Sequence, residues 1–420
     1  MVRDRQPVAR HDRHFSTAGH TPFRRDPDLP LRVQARPDRR RPSRPGRVST
    51  SRLKTWLITL NQVLVERVIL RQGDVPITSR RNALTLTAPD RRAAVAVYAR
   101  PRLGRGLLDI ATSVGPYLAL CVAMVLLLPV SPWVVPVLMI PATGFLVRVF
   151  IMFHDCVHGS LLPSKRANTW AGTLLGLLVF APLLPWRHHH TVHHATAGNL
   201  DRRGVGDVET WTVAEYRARP WRARLAYRMV RHPAVMFGVG PFFAMLIEPR
   251  LVGRGAPPRI RNSVLATDAA LVALGGGLCW LIGWRDVLIL WTPMVLLGGA
   301  VGIWLFYVQH QFENVYWQRQ GEWQFADAAL RGCSYLRLPR ILQFFTGNIG
   351  LHHVHHFNAR IPNYNLQRAH DANAIFAEVP TLSIRDGLRA VRFKLWDEDA
   401  GRLVTFAQAR VGDGTGVADT

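Results

Sequence analysis

The sequence predicts an all-α integral membrane protein. About four transmembrane helices form two hairpins, with re-entrant or interfacial helices beside them and a cytosolic helical cap holding a di-metal site. Three observations predict this: apolar residues bunched into span-length runs, histidines gathered into three short clusters, and arginines concentrated on one side of the runs.

Four runs are long enough to cross a bilayer, which takes about 20 apolar residues. Residues 107–128 contain one charge, Asp109, and residues 133–153 contain one, Arg148, near an end where it can snorkel to the interface. The break at 129–132 makes these two a hairpin. Residues 264–284 and 287–308 form a second, turning at Arg285–Asp286. Two shorter runs, 170–186 and 233–247, are interrupted by Gly172, Gly176, Pro182 and Pro185 in the first case and are only 15 residues long in the second.

Before the first span the chain is polar. Residues 1–50 hold thirteen arginines and almost no apolar run, a composition that cannot bury enough surface to fold. Leu53, Trp56, Leu57, Leu60, Val63 and Leu64 recur at helical spacing, so residues 51–72 read as an amphipathic interfacial helix. Residues 73–106 read as a loop plus a short helix. The net charge of +25 suits nucleic acid, an anionic membrane or an acidic partner, and the apolar runs decide for the membrane. Cys121, Cys156, Cys279 and Cys333 are scattered and form no C-x-x-C pair, which suits a reducing cytosolic face.

Five histidines fall in the nine residues Trp186–His194, and His190, His193 and His194 fit an H-x-x-H-H frame. The frame repeats at His352, His355 and His356, and His154 and His158 stand four apart upstream. Residues three or four apart share a helix face, so each cluster presents its imidazoles in one direction. Imidazole suits iron, zinc, copper and nickel, and eight imidazoles are too many for one ion. His188, His189 and His353 fall outside the frame, and His11, His14 and His20 lie in the polar tail.

A shared site requires all three clusters on one face. If 170–186 crossed the membrane, the first two clusters would be separated, so both short runs are expected to re-enter or lie at the interface. Residues 91–105, 165–166, 202–231 and 250–261 are basic on the cluster side, whereas the opposite turns hold one arginine. The positive-inside rule then puts the site in the cytosol, with a bacterial inner membrane as the expected location.

These motifs resemble the membrane-bound fatty acid desaturases, in particular the acyl-lipid, omega-6 (delta-12)-like branch. The resemblance rests on Phe-His-Asp-Cys-Val-His-Gly-Ser (153–160), Trp-Arg-His-His-His-Thr-Val-His-His (186–194), Gly-Asn-Leu-Asp-Arg-Arg-Gly-Val-Gly-Asp-Val (198–208), Val-Gln-His-Gln-Phe-Glu (308–313), Asn-Ile-Gly-Leu-His-His-Val-His-His (348–356) and Ile-Pro-Asn-Tyr-Asn-Leu (361–366). It implies a desaturase domain over 88–395, followed by a C-terminal tail over 396–420. It also implies metal ligation by His154, His158, His190, His193, His194, His352, His355 and His356, with His310 as a ninth ligand. Asp155, Asp207 and Glu313 are candidates to orient ring N–H groups, with ion pairing to Arg187, Arg202 or Arg203 as the other reading. Val157 departs from the glycine usual there and would narrow the access path.

The resemblance further implies two irons, dioxygen as co-substrate and a cis double bond placed in an acyl lipid or acyl thioester. A methylene C–H offers no acidic proton, so such chemistry belongs to a cofactor. A histidine-box hydroxylase, ketolase or alkane monooxygenase shares the motif pattern, and a histidine-rich metal transporter is the distant alternative. A transporter would place ligands within its spans, and here they lie just outside. No Gly-x-Gly-x-x-Gly or His-Pro-Gly-Gly run occurs, so electrons are expected from a separate ferredoxin-like or cytochrome-type carrier. Arg222 and Arg224 are the candidate docking residues.

Overall fold

Helix α1, Leu103–Leu127, and helix α2, Val134–His158, run as an antiparallel hairpin. The computed structural model describes residues 93–253 and 255–411. The polar tail expected over 1–50 and the interfacial helix expected over 51–72 lie outside the described residues.

Helix α2 is 25 residues long, about 37 Å at 1.5 Å per residue. The hydrocarbon core is about 30 Å thick. The helix therefore does not stop at residue 153, where its apolar run ends, but carries His154 and His158 on its last turns. Gly159, at φ 69°, closes it by accepting the left-handed conformation while its N–H bonds back to the carbonyls of Asp155 and Cys156.

Helix α3, Lys165–Leu178, and helix α4, Leu183–Thr196, meet at a bend of 102°. Gly176 makes the bend tight: a Cβ there would stand 2.4 Å from the Ala181 carbonyl oxygen. Pro182 then opens α4, where its missing N–H costs nothing. The chain thus changes direction sharply between α3 and α4.

Helix α5, Trp221–Val230, is followed by an irregular helical segment, Val235–Arg250, bent from it by 56°. Helix α6, Pro258–Ile282, and helix α7, Trp284–His310, form the second hairpin, turning at Gly283. The four long helices have mean hydropathies between 1.7 and 2.1 and are the candidate spans; each bent pair would add one only if read as a single crossing. Trp280, 86% exposed, and Val272 show α6 presenting bare apolar surface, as a lipid-facing helix does.

Past α7 the chain folds as a cap of short helices. These include α8, Phe325–Arg331, α9, His352–Phe357, and α10, Asn363–Ala372. Val354 and Phe357 of α9 pack with Val95, Tyr98, Leu366 and Phe376, which pins this six-residue helix from its far side. Two small sheets tie the cap together. Strand β1, Trp211–Thr212, lies parallel to β4, Leu395–Asp397, which pairs antiparallel with β5, Arg402–Val404; β2, Tyr335–Leu336, lies parallel to β3, Thr381–Leu382. The segment expected as a tail from 396 is therefore partly folded: Trp396, Leu403 and Val404 are buried.

Arg148 does not snorkel. It is buried, stands 3.5 Å from Asp109 Oδ1, donates to the Phe344 carbonyl and stacks over the Phe344 ring at 4.2 Å. An ionisable group within a span is costly unless paired, and the pair joins α1 to α2.

Candidate metal centre

Two spans end at the same place. Helix α2 delivers His154 and His158 and helix α7 delivers His310, while α4 and α9 cross beside them. Their imidazoles form two groups, His154, His158, His190, His194 and His355 in one, His193, His310, His352 and His356 in the other. Within each group the candidate ligand atoms all lie within 4.8 Å of one another.

Helical geometry explains the partition. In α4 the i, i+4 pair His190 and His194 joins the first group, and the i+3 residue His193 turns to the second. In α9 the pattern is exchanged: His352 and His356 join the second group and His355 the first. Positions i and i+4 differ by about 40° around a helix, whereas i+3 lies about 60° to the other side. One H-x-x-H-H turn therefore serves two centres.

The spacing fits metal ions better than protons. His154 Nε2 and His190 Nε2 are 2.9 Å apart, His190 and His194 3.1 Å, and His194 and His355 3.0 Å. In the second group His193 and His310 approach to 3.2 Å, and His310 and His352 to 2.9 Å. A ring nitrogen either donates or accepts, so a chain of four cannot be satisfied by hydrogen bonds alone. Imidazole nitrogens held at right angles about 2.1 Å from one ion stand about 3.0 Å apart. Nε2 of His158 and of His356 are also buried without a hydrogen-bond partner. Burial, reinforced by neighbouring imidazoles, pushes the pKa values of His352, His355 and His356 well below the usual histidine range. They stay neutral at physiological pH, as a ligand must.

The flanking residues differ in what they do. Asp207 Oδ1 lies 2.5 Å from His193 Nδ1, which leaves Nε2 for the centre. Asp155 is 3.5 Å from His154 Nδ1 without bonding it; its other oxygen accepts from the Asn363 backbone N–H at 2.7 Å and side-chain Nδ2 at 3.0 Å. Glu313 is placed away from the histidines, where it is half-buried and pairs with Arg402 at 3.0 Å. Helix α7 ends at His310, so the chain has left the helix axis by Glu313 and carries that side chain outward.

A match to a model of the fatty acid desaturase family covers residues 129–383. A fatty acid desaturase of Bacillus subtilis (strain 168) is 42% identical over 312 residues, which span 74% of this chain and 89% of that one. The chain belongs to the fatty acid desaturase family. More distant similarity extends to an sn-1 acyl-lipid omega-3 desaturase (ferredoxin) of Synechocystis, 30% identical over 53% of this chain and 63% of its own. A chloroplastic omega-6 fatty acid desaturase of Glycine max is 28% identical over 54% of this chain and 52% of its own.

This desaturase carries an apolar cavity of about 440 Å³ against the two groups. Leu146, Phe150 and Ile151 of α2, and Val295, Gly302, Ile303 and Phe306 of α7, line it, with His154, His190 and His352 along one wall. Val157 is not among its lining residues; it packs in the core between the spans. His189 stands half-exposed at the lining, 3.9 Å from Glu248, and His188 is exposed. His353 is buried with its Nε2 3.0 Å from His370 Nδ1, so it belongs to neither group.

Three neighbours of the site escaped the sequence reading. Trp186 packs against His190 with ring centroids 4.4 Å apart and the planes tilted by 31°; its position four residues before His190 on one helix was the available signal. Asn363 lies within the Ile-Pro-Asn-Tyr-Asn-Leu motif, but its bond to Asp155 joins distant segments, and Cys333, 3.7 Å from His310 Nδ1, left no local signal. Arg222 and Arg224 sit on α5, where Arg222 lies over the Trp221 ring at 5.5 Å. They flank an exposed stripe of Trp221, Leu225 and Met229.

Proposed function

We propose that this desaturase introduces a cis double bond into an acyl chain, using dioxygen and electrons from a separate carrier at a two-iron centre. The observation that carries this reading is the pair of imidazole groups, with facing nitrogens 2.9–3.2 Å apart, on the wall of an apolar cavity. Two irons held there would supply the oxidising power that acid–base side chains lack.

The chain's own residues contribute binding and placement. His154, His158, His190, His194 and His355 would hold one iron, and His193, His310, His352 and His356 the other. Asp207 keeps the His193 proton on Nδ1. The apolar cavity would lay an extended chain past His154, His190 and His352, so that one methylene pair faces the centre. Expression in a host with a defined fatty-acid profile tests the reading: new monounsaturated or diunsaturated chains are expected, and an unchanged profile from an inserted, iron-loaded protein would overturn it. Hydroxylated chains would instead favour the hydroxylase alternative.

The site faces the cytosol in this reading, because the basic segments flank it. Cysteine labels at positions 130 and 285 should react from outside intact cells, and labels at 200 and 360 only after permeabilisation; external labelling at 200 would refute the topology. A ferredoxin-like carrier fits the cationic flanks of α5 at Arg222 and Arg224, and its association should weaken with salt. Turnover that ignores ionic strength would leave those arginines to the lipid headgroups.

A further inference from the structure

Arg231 and Lys394 are buried cations, 3% and 5% exposed, and among the described residues neither has a carboxylate within ion-pair distance. Arg231 donates to four neutral acceptors: the Glu209 carbonyl at 3.1 Å, Tyr307 Oη at 3.3 Å, Gln311 Oε1 at 3.0 Å and the Phe393 carbonyl at 3.5 Å. Its Nε is buried with no partner. Among the described residues, the hydrogen-bond partner of Lys394 Nζ is the Met236 sulfur, at 3.7 Å, and the ammonium stands over the Tyr307 ring at 5.2 Å. Burial and the Arg231 charge push its pKa down to about 7. Buried charge of one sign without a counter-ion is expensive, and an arriving anion relieves the cost for both groups at once.

Arg231 stands at the cavity, and Lys394 lies behind its wall, against the Met236 sulfur and the Tyr307 ring. Arg231, Tyr307 and Met236 line the cavity, as do the exposed Glu209 and Glu248 where it meets solvent. The Glu209 carboxylate is engaged by Trp211 Nε1 at 2.8 Å. Arg231 also directly follows α5, whose Trp221, Leu225 and Met229 form an exposed i, i+4, i+8 stripe flanked by Arg222 and Arg224. Such a helix lies along a lipid surface, so the way to Arg231 leads from lipid headgroups.

We propose that Arg231 and Lys394 form an anion site for the phosphate of a glycerophospholipid, whose acyl chain continues into the cavity past His154, His190 and His352. The proposal rests on the desaturase reading only in placing an acyl chain in that cavity. Guanidinium and ammonium together match a phosphodiester, and each charge-assisted hydrogen bond is among the strong ones.

Binding isotherms with the full chain in dodecyl maltoside test it, using dioleoylphosphatidylglycerol, dioleoylglycerol and oleate as probes. The phospholipid should bind at least about tenfold more tightly than the diacylglycerol, which has the same chains and no phosphate. Lys394→Met should erase that preference while leaving the diacylglycerol affinity in place, and Lys394→Arg should keep it. Arg231→Gln should act like Lys394→Met, but Arg231 carries four hydrogen bonds, so the lysine variant decides if the arginine variant fails to fold. Equal affinities in the parent chain, or a preference that survives Lys394→Met, would overturn the proposal. So would an equally strong, Lys394-dependent affinity for oleate, which would assign the site to a carboxylate. No turnover is read, so a chain that binds phospholipid this way yet leaves host lipids unchanged refutes the proposed function and not the anion site.

Discussion

His194 and His355 are 161 positions apart in the chain and bring their Nε2 atoms to 3.0 Å. Their sequence neighbours, His193 and His356, belong to the other imidazole group, with ring centroids 5.0 Å apart. Each H-x-x-H-H turn is thereby split between two centres, and neither centre is complete without both turns.

In the proposed two-iron site, replacing His193 or His355 by alanine would therefore remove a ligand from a different centre in each case. Both variants should insert, bind about one iron or fewer in place of two, and lose desaturation. Elemental analysis and gas chromatography of host lipids read both outcomes. His188→Ala, at an exposed position, should retain iron and most activity; near-normal turnover in His193→Ala would remove that residue from the ligand set.

Asp207 and Glu313 should now behave differently. Asp207→Asn should lower iron affinity or activity by about 10–100-fold, because the amide no longer fixes the His193 tautomer. Glu313→Gln removes an exposed ion pair with Arg402, an interaction of about 0–1 kcal/mol, and activity should stay within about threefold. Equal losses in the two variants would contradict the geometry.

Gly302 lines the cavity, and a Cβ built there meets nothing within 4 Å. Gly302→Leu should fold and shorten the space for the acyl chain, cutting turnover of the longest chains by at least about tenfold relative to shorter ones. Gly299→Ala should instead lower the melting temperature, because its Cβ would stand 2.9 Å from Pro241 Cβ. An unchanged product distribution in Gly302→Leu would show that the chain does not pass there.

The Lys394 pKa is lowered from 10.5 to about 7 on folding, by burial and then by Arg231. Between those values the unfolded state binds more protons, so stability rises with pH. Below about pH 7 the buried charge opposes folding in full. Lys394→Met should thus raise the melting temperature most at and below neutral pH in lipid-free detergent, with the gain shrinking as pH approaches 10.5. A gain independent of pH would mean that the ammonium is solvated in the folded chain.

The sequence by itself determined the four apolar spans and the three histidine clusters, while His310 entered only through the family resemblance. Both spans and clusters are carried by local signals: an apolar run must be long enough to cross a bilayer, and imidazoles three or four apart must share a helix face. It misplaced what depends on distant segments. Helix α2 continues through His154 and His158 because its length exceeds the hydrocarbon core, although its composition turns polar at residue 154. Arg148 faces inward because Asp109 and the Phe344 carbonyl wait for it on other helices. Glu313 lies close in sequence to His310 yet points to solvent, while Asp207 reaches His193 from a loop. Which histidines share a centre was also left to the tertiary structure. Helical periodicity separates i+3 from the i, i+4 pair, but only the tertiary packing decides that His194 of α4 meets His355 of α9 while His193 of α4 meets His310 of α7.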